Sequence, residues 1–72
     1  MKKTYLLEDL DCANCAAKME AAIKALPGVT DATVSFLTQK LILETEDDDQ
    51  SKLIRDIAKI IKKIEPDCGI VI

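Results

Sequence analysis

One pattern runs through this chain twice: a β-favouring run, an apolar helical stripe, a proline that stops it, and a second β-favouring run. In the first half, residues 4–7 read as a strand. Residues 13–26 are rich in alanine and set Ala16, Met19, Ile23 and Leu26 on one helical stripe, which Pro27-Gly28 ends. Residues 29–36 then alternate, with Ala32, Val34 and Phe36 facing one way and Asp31, Thr33 and Ser35 the other, as in a half-buried strand. A turn at 37–39 and a further strand at 40–45 make a hairpin. The acidic run 46–49 opens a second helix, where negative charge suits the dipole and an aspartate can cap. Leu53, Ile57, Ile60 and Ile64 form its apolar face, broadened by Ile54 and Ile61. Pro66 stops it, and residues 67–72 make a last strand. Pro27-Gly28-Val29 thus stands in the first half where Pro66-Asp67-Cys68 stands in the second.

The order β-α-β-β-α-β predicts an α+β, ferredoxin-like sandwich, with two helices on one face of a four-stranded antiparallel sheet. With 72 residues, the chain makes a single domain, 1–72, whose small core leaves a thin margin of stability. That topology brings three loops to one end: the one after the first strand, which holds Cys12 to Cys15, the hairpin turn, and the one after the second helix, which holds Glu65. The acidic run falls at the opposite end.

Composition removes several function classes. A chain 49% hydrophobic and 32% charged is ordinary for a globular domain and wrong for a disordered one. Apolar runs such as Leu41-Ile42-Leu43 are far too short to span a bilayer. The opening MKKTYLLEDL has two lysines, but Glu8 and Asp9 follow and no apolar signal core forms, so a cytosolic start is expected. A net charge of -3 with scattered lysines argues against nucleic acid. Tyr5 and Phe36 are the only aromatics, which leaves no stacking platform for single strands.

The chemistry concentrates in LDCANC, residues 10–15. Three cysteines and no histidine cannot complete a closed four-ligand Cys/His zinc site within one chain. A redox dithiol is a second reading, since a CxxC at a helix start has a lowered thiol pKa. The order of elements and the absence of aromatic or proline residues around the pair speak against it. The third reading is an open metal site. Two soft thiolates at a helix N-terminus bind Cu(I), Zn(II), Cd(II) or Pb(II) well. They also leave the ion undercoordinated, so that a donor or acceptor can add its own ligands before the first ones leave. Asp11 discriminates among these metals. A carboxylate beside two thiolates suits a divalent ion, leaving one net negative charge where Cu(I) would leave two. The alternative for Asp11 is an acid placed for the helix dipole.

Leu10-Asp11-Cys12-Ala13-Asn14-Cys15-Ala16, followed by Lys18, Ile23, Leu26 and Pro27-Gly28-Val29, resembles the heavy-metal-associated domain family. The resemblance covers the whole chain and implies the same βαββαβ fold. It also implies metal binding by Cys12 and Cys15, either in a free-standing metallochaperone or in a soluble N-terminal domain of a P-type metal ATPase. Two departures matter. Copper members usually carry Met-Thr before the first cysteine, where this chain has Leu10-Asp11. An aspartate there is similar to zinc/cadmium/lead-exporting ATPases, in which it is a ligand. Copper members also often carry Gly-Tyr, Gly-Phe or lysine in the last loop, where Ile64-Glu65-Pro66 stands here. A lysine would offset the charge of a Cu(I) dithiolate, whereas a glutamate can ligate a divalent ion.

The expectation is therefore a cytoplasmic domain that binds one Zn, Cd or Pb ion through Cys12, Cys15 and Asp11. Glu65 is either a fourth ligand or a solvated surface acid. Its partners would be the transmembrane and other cytosolic domains of a heavy-metal-exporting P-type ATPase, with a metallochaperone as a further partner. The abrupt end at Ile72 suits a piece cut from such a longer chain. A free-standing Cu(I) chaperone is the alternative, and the exposed site permits two copies to share one metal. The chain carries no phosphorylation motif, so no catalysis by itself is expected. Cys68, matched with Val29 by the half-repeat, is expected to be a small buried hydrophobe, with a third metal ligand or an oxidation partner as the alternatives. Leu10 is expected beneath the loop and Met19 in the core. Lys59, Lys62 and Lys63 are expected on the wet face of the second helix, with docking of an acidic partner domain as the alternative. The acidic run lacks the glycine and spaced acids of a calcium loop.

Overall fold

A computed structural model of the chain describes residues 1–47 and 49–71. The elements follow the expected order: β1 (Lys2–Glu8), α1 (Ala13–Lys24), β2 (Val29–Ser35), β3 (Lys40–Thr45), α2 (Ser51–Ile64) and β4 (Gly69–Val71). The strands form one antiparallel sheet in the order β2-β3-β1-β4, with Tyr5 opposite Leu41 and Leu7 opposite Ile70. Both helices lie on one face. Leu7, Ala32, Val34, Leu41 and Leu43 project from the sheet onto Ala16, Met19 and Ile23 of α1 and onto Ile54, Ile57 and Ile61 of α2. Antiparallel pairing sets the end of β1 beside the starts of β3 and β4. The cysteine loop, the hairpin turn and the Glu65 loop therefore share one end, as the topology requires.

Several boundaries differ from the sequence pattern, each for a physical reason. α1 stops at Lys24, and Ala25 caps it through its N–H to the Ala21 and Ile23 carbonyls. Leu26 lies half-buried beyond the helix end. Gly28 takes φ +91, a left-handed turn open to glycine. Phe36 does not continue the inward row of Ala32 and Val34. The hairpin turn claims it, and the ring stays partly exposed. The acidic run does not enter α2, whose N-cap is Gln50. Asp49 supports the helix start from outside, its Oδ1 accepting from the Ser51 N–H at 3.0 Å. Asp48 lies outside the described residues.

The centre of the α2 stripe is Ile54-Ile57-Ile61, with Leu53, Ile60 and Ile64 half-buried on its flanks. β4 is shorter than the apolar run suggested. Residues 67 and 68 form its approach, and Ile72 lies outside the described residues.

The end opposite the cysteines is tied by polar groups. Gln50 and Thr45 are buried, and burying polar groups without partners would be costly. Here the Tyr5 hydroxyl donates to Gln50 Oε1 at 2.6 Å, and Gln50 Nε2 donates to Thr45 Oγ1 and to the Met1 carbonyl at 3.0 and 3.2 Å. Among the described residues, every buried side-chain nitrogen and oxygen has a partner.

Candidate metal centre

Residues 9–12 carry the chain from β1 into α1. Asp9 turns it with φ 57, and Leu10 drops into the core with 2% of its surface exposed. Cys12 is the N-cap of α1, in extended backbone, and its Sγ accepts from the Cys15 N–H at 3.2 Å. A sulfur thus does what a serine or aspartate oxygen does at most helix starts.

This position sets the charge of the two thiols. A hydrogen bond from the Cys15 side chain, then the Cys15 and Asn14 backbone N–H groups, pull the Cys12 thiol pKa below the usual value. Cys15 is pushed up to about 11 by its contact with the Cys12 side chain, with burial and the Cys12 and Glu65 charges adding to the effect. The two thiols are thus shifted in opposite directions, Cys12 toward the thiolate and Cys15 toward the protonated form.

Glu65 reaches Cys15 from the end of α2, at the same end of the domain. It is the C-cap of α2, its N–H bonded to the Ile61 carbonyl, and its Oε2 lies 3.8 Å from Cys15 Sγ. Asp11 is exposed, and among the described residues it makes no hydrogen bond or ion pair. The fold thus sets Glu65 against Cys15, with Cys12 capping the same helix start, and leaves the Asp11 side chain exposed. Among the described residues, no three Cys, Asp or Glu side chains converge into a ready metal cage. Cys68 is fully buried, with a pKa raised by that burial and by the charges of Glu65 and Asp9. Lys59, Lys62 and Lys63 are exposed.

Sequence reasoning read Gln39 only as part of the hairpin turn. In the structure its side chain spans from that turn to the cysteine loop. Oε1 accepts from the Leu10 N–H at 2.9 Å, while Nε2 donates to the Leu10 carbonyl at 2.7 Å and to the Phe36 carbonyl at 2.8 Å. Its own carbonyl accepts from the Leu7 N–H at 2.8 Å. Gln39 achieves this from the left-handed region, φ 56, at a cost of about 1–3 kcal/mol for a residue other than glycine. No local signal betrays the role, because the partner lies 29 residues away.

A small βαββαβ domain that offers a thiol pair at the start of its first helix is the class that this fold and site define. The model of the heavy-metal-associated domain matches residues 4–69, and the chain belongs to that family. A cadmium, zinc and cobalt-transporting ATPase of Bacillus subtilis is 30% identical over 92% of this chain and 9% of its own length. A probable copper-importing P-type ATPase of Enterococcus hirae is 33% identical over 81% of the chain and 8% of its own length. The chain therefore spans under a tenth of these relatives. Among solved structures, the water-soluble region of the P-type ATPase CopA from Bacillus subtilis superposes with a TM-score of 0.72 at 27% identity, over 99% of this chain and 44% of that one. Among the described residues, no helix is long and apolar enough to cross a membrane.

Proposed function

We propose that this domain carries one soft divalent ion (Zn, Cd or Pb) as cargo, for regulation of or delivery to a heavy-metal-exporting P-type ATPase. The carrying observation is the cap geometry: the Cys12 sulfur at the start of α1 accepts from the Cys15 N–H, and the Glu65 carboxylate lies 3.8 Å from the Cys15 sulfur. Cys12 and Cys15 supply the thiolates, and incoming metal displaces the proton of Cys15. Asp11, exposed and without an ion-pair partner, is the third ligand, and Glu65 the fourth. Two carboxylates beside two thiolates suit a divalent ion better than Cu(I), which is content with two sulfurs. The resemblance to the zinc- and cadmium-transporting relative supports this reading. The second reading is a free-standing Cu(I) chaperone using Cys12 and Cys15 alone, and the copper-importing relative supports copper as the cargo in it.

Competitive titration of the reduced domain with Zn(II), Cd(II) and Cu(I), unaltered and as Asp11→Ala, separates the two. The divalent reading expects one ion per chain and at least a tenfold loss on removing Asp11, about 1.4 kcal/mol. Tight Cu(I) binding that ignores Asp11→Ala, with weak Zn(II) and Cd(II), would hand the site to copper.

A further inference from the structure

We propose that Gln39 is the positioning residue of the cysteine loop: from the hairpin turn, its side-chain amide sets where Leu10 lies and thereby where Cys12 meets the metal. The inference rests on the reading of Cys12 and Cys15 as metal ligands. Its geometry is that of a side chain imitating backbone. Oε1 and Nε2 pair with the N–H and C=O of one residue, Leu10, as a strand residue pairs with its neighbour. The Gln39 carbonyl holds Leu7 as well, so one residue grips both sides of the bend at Asp9. The Leu10 side chain is packed in the core beneath, and only Asp11 separates it from the Cys12 cap.

Backbone conformation supplies a second argument. Among the described residues, Asp9 and Gln39 are the non-glycine residues with positive φ, and they lie in the two segments that this contact joins. Glycine or asparagine would suit φ 56 at a hairpin turn better. A glutamine held there is over-determined by its surroundings, and such residues gather at functional sites. Neither glycine nor asparagine has the reach to hold Leu10. The position thus gives up backbone comfort for the length of this side chain.

The test separates positioning from mere turn formation. Gln39→Gly and Gln39→Asn both relax the turn and both lose the grip. Three quantities are read: affinity for Zn(II), or for Cu(I) if the titration above selects it; the urea midpoint; and amide hydrogen exchange at Leu10. The expected result is an unchanged or raised midpoint, faster exchange at Leu10, and affinity lower by about tenfold, in the range seen when supporting groups around metal ligands are removed. Affinity within twofold of the unaltered chain would overturn the inference and leave the metal reading standing. So would a midpoint that falls in step with affinity, which is the mark of a purely structural turn. If the unaltered chain binds none of the three ions more tightly than Cys12→Ser/Cys15→Ser, the metal reading and the inference fall together.

Discussion

Cys12 and Cys15 are chemically unequal despite their shared motif, and the inequality is measurable without any metal. The N-cap position supplies Cys12 with donors, while the Cys15 thiol is held protonated by Cys12, by burial and by Glu65. Thiolate, not thiol, is the nucleophile. Brief alkylation of the folded, metal-free domain near neutral pH should therefore modify Cys12 first and Cys15 slowly. Cys68 should react only after unfolding, since it is fully buried. Cys12→Ser should speed Cys15. Equal labelling of Cys12 and Cys15 by mass spectrometry would sink this account. At this scale the sequence was eloquent about the thiols, because CxxC at a helix start carries its electrostatics with it. It was silent about Gln39, whose partner is chosen by the folded chain.

At the scale of elements, α2 shows what periodicity can and cannot say. Positions 53, 57, 60 and 64 satisfy helical spacing as well as 54, 57 and 61 do, so the pattern fixes a helix and a broad stripe without fixing its centre. The sheet decides, and Ile61 ends fully buried while Ile60 stays on the flank. Ile61→Ala should cost about 2–5 kcal/mol by urea denaturation, and Ile60→Ala less than half as much. Comparable losses would put the stripe back where the bare pattern had it. The strand ends were misjudged for a related reason. Alternation continues through Phe36 on paper, but turn geometry interrupts it. The start of α2 was misjudged because an acidic run suggests a cap, whereas the capping residue here turns its side chain inward to Tyr5 and Thr45.

Over the whole molecule, three groups with raised pKa values share one consequence. Cys15, Cys68 and Tyr5 each hold their protons more tightly when folded. The stability that they contribute is present below their unfolded values and fades as pH climbs through the folded ones. Cys12, with its lowered value, acts in the opposite sense, and its contribution is already complete once the unfolded thiol has ionised, above about pH 8.5. The urea midpoint of the metal-free domain should therefore fall between about pH 9 and 11, and Cys15→Ser should flatten the fall. A midpoint level across that range would mean that the thiols ionise as freely in the fold as out of it. Topology was the most legible property of all, since the repeated half and its two prolines admit few arrangements. The convergence of Glu65 on Cys15 depends on helix length and cap geometry, which no local pattern encodes.

A carrier must also be comfortable empty. The Cys12 sulfur has a standing occupation as the cap of α1, so on the proposed reading it is never an orphaned anion waiting for an ion. Unloading then leaves the sulfur still bonded and unravels no helix, and the departing metal leaves behind a loop that is already at rest.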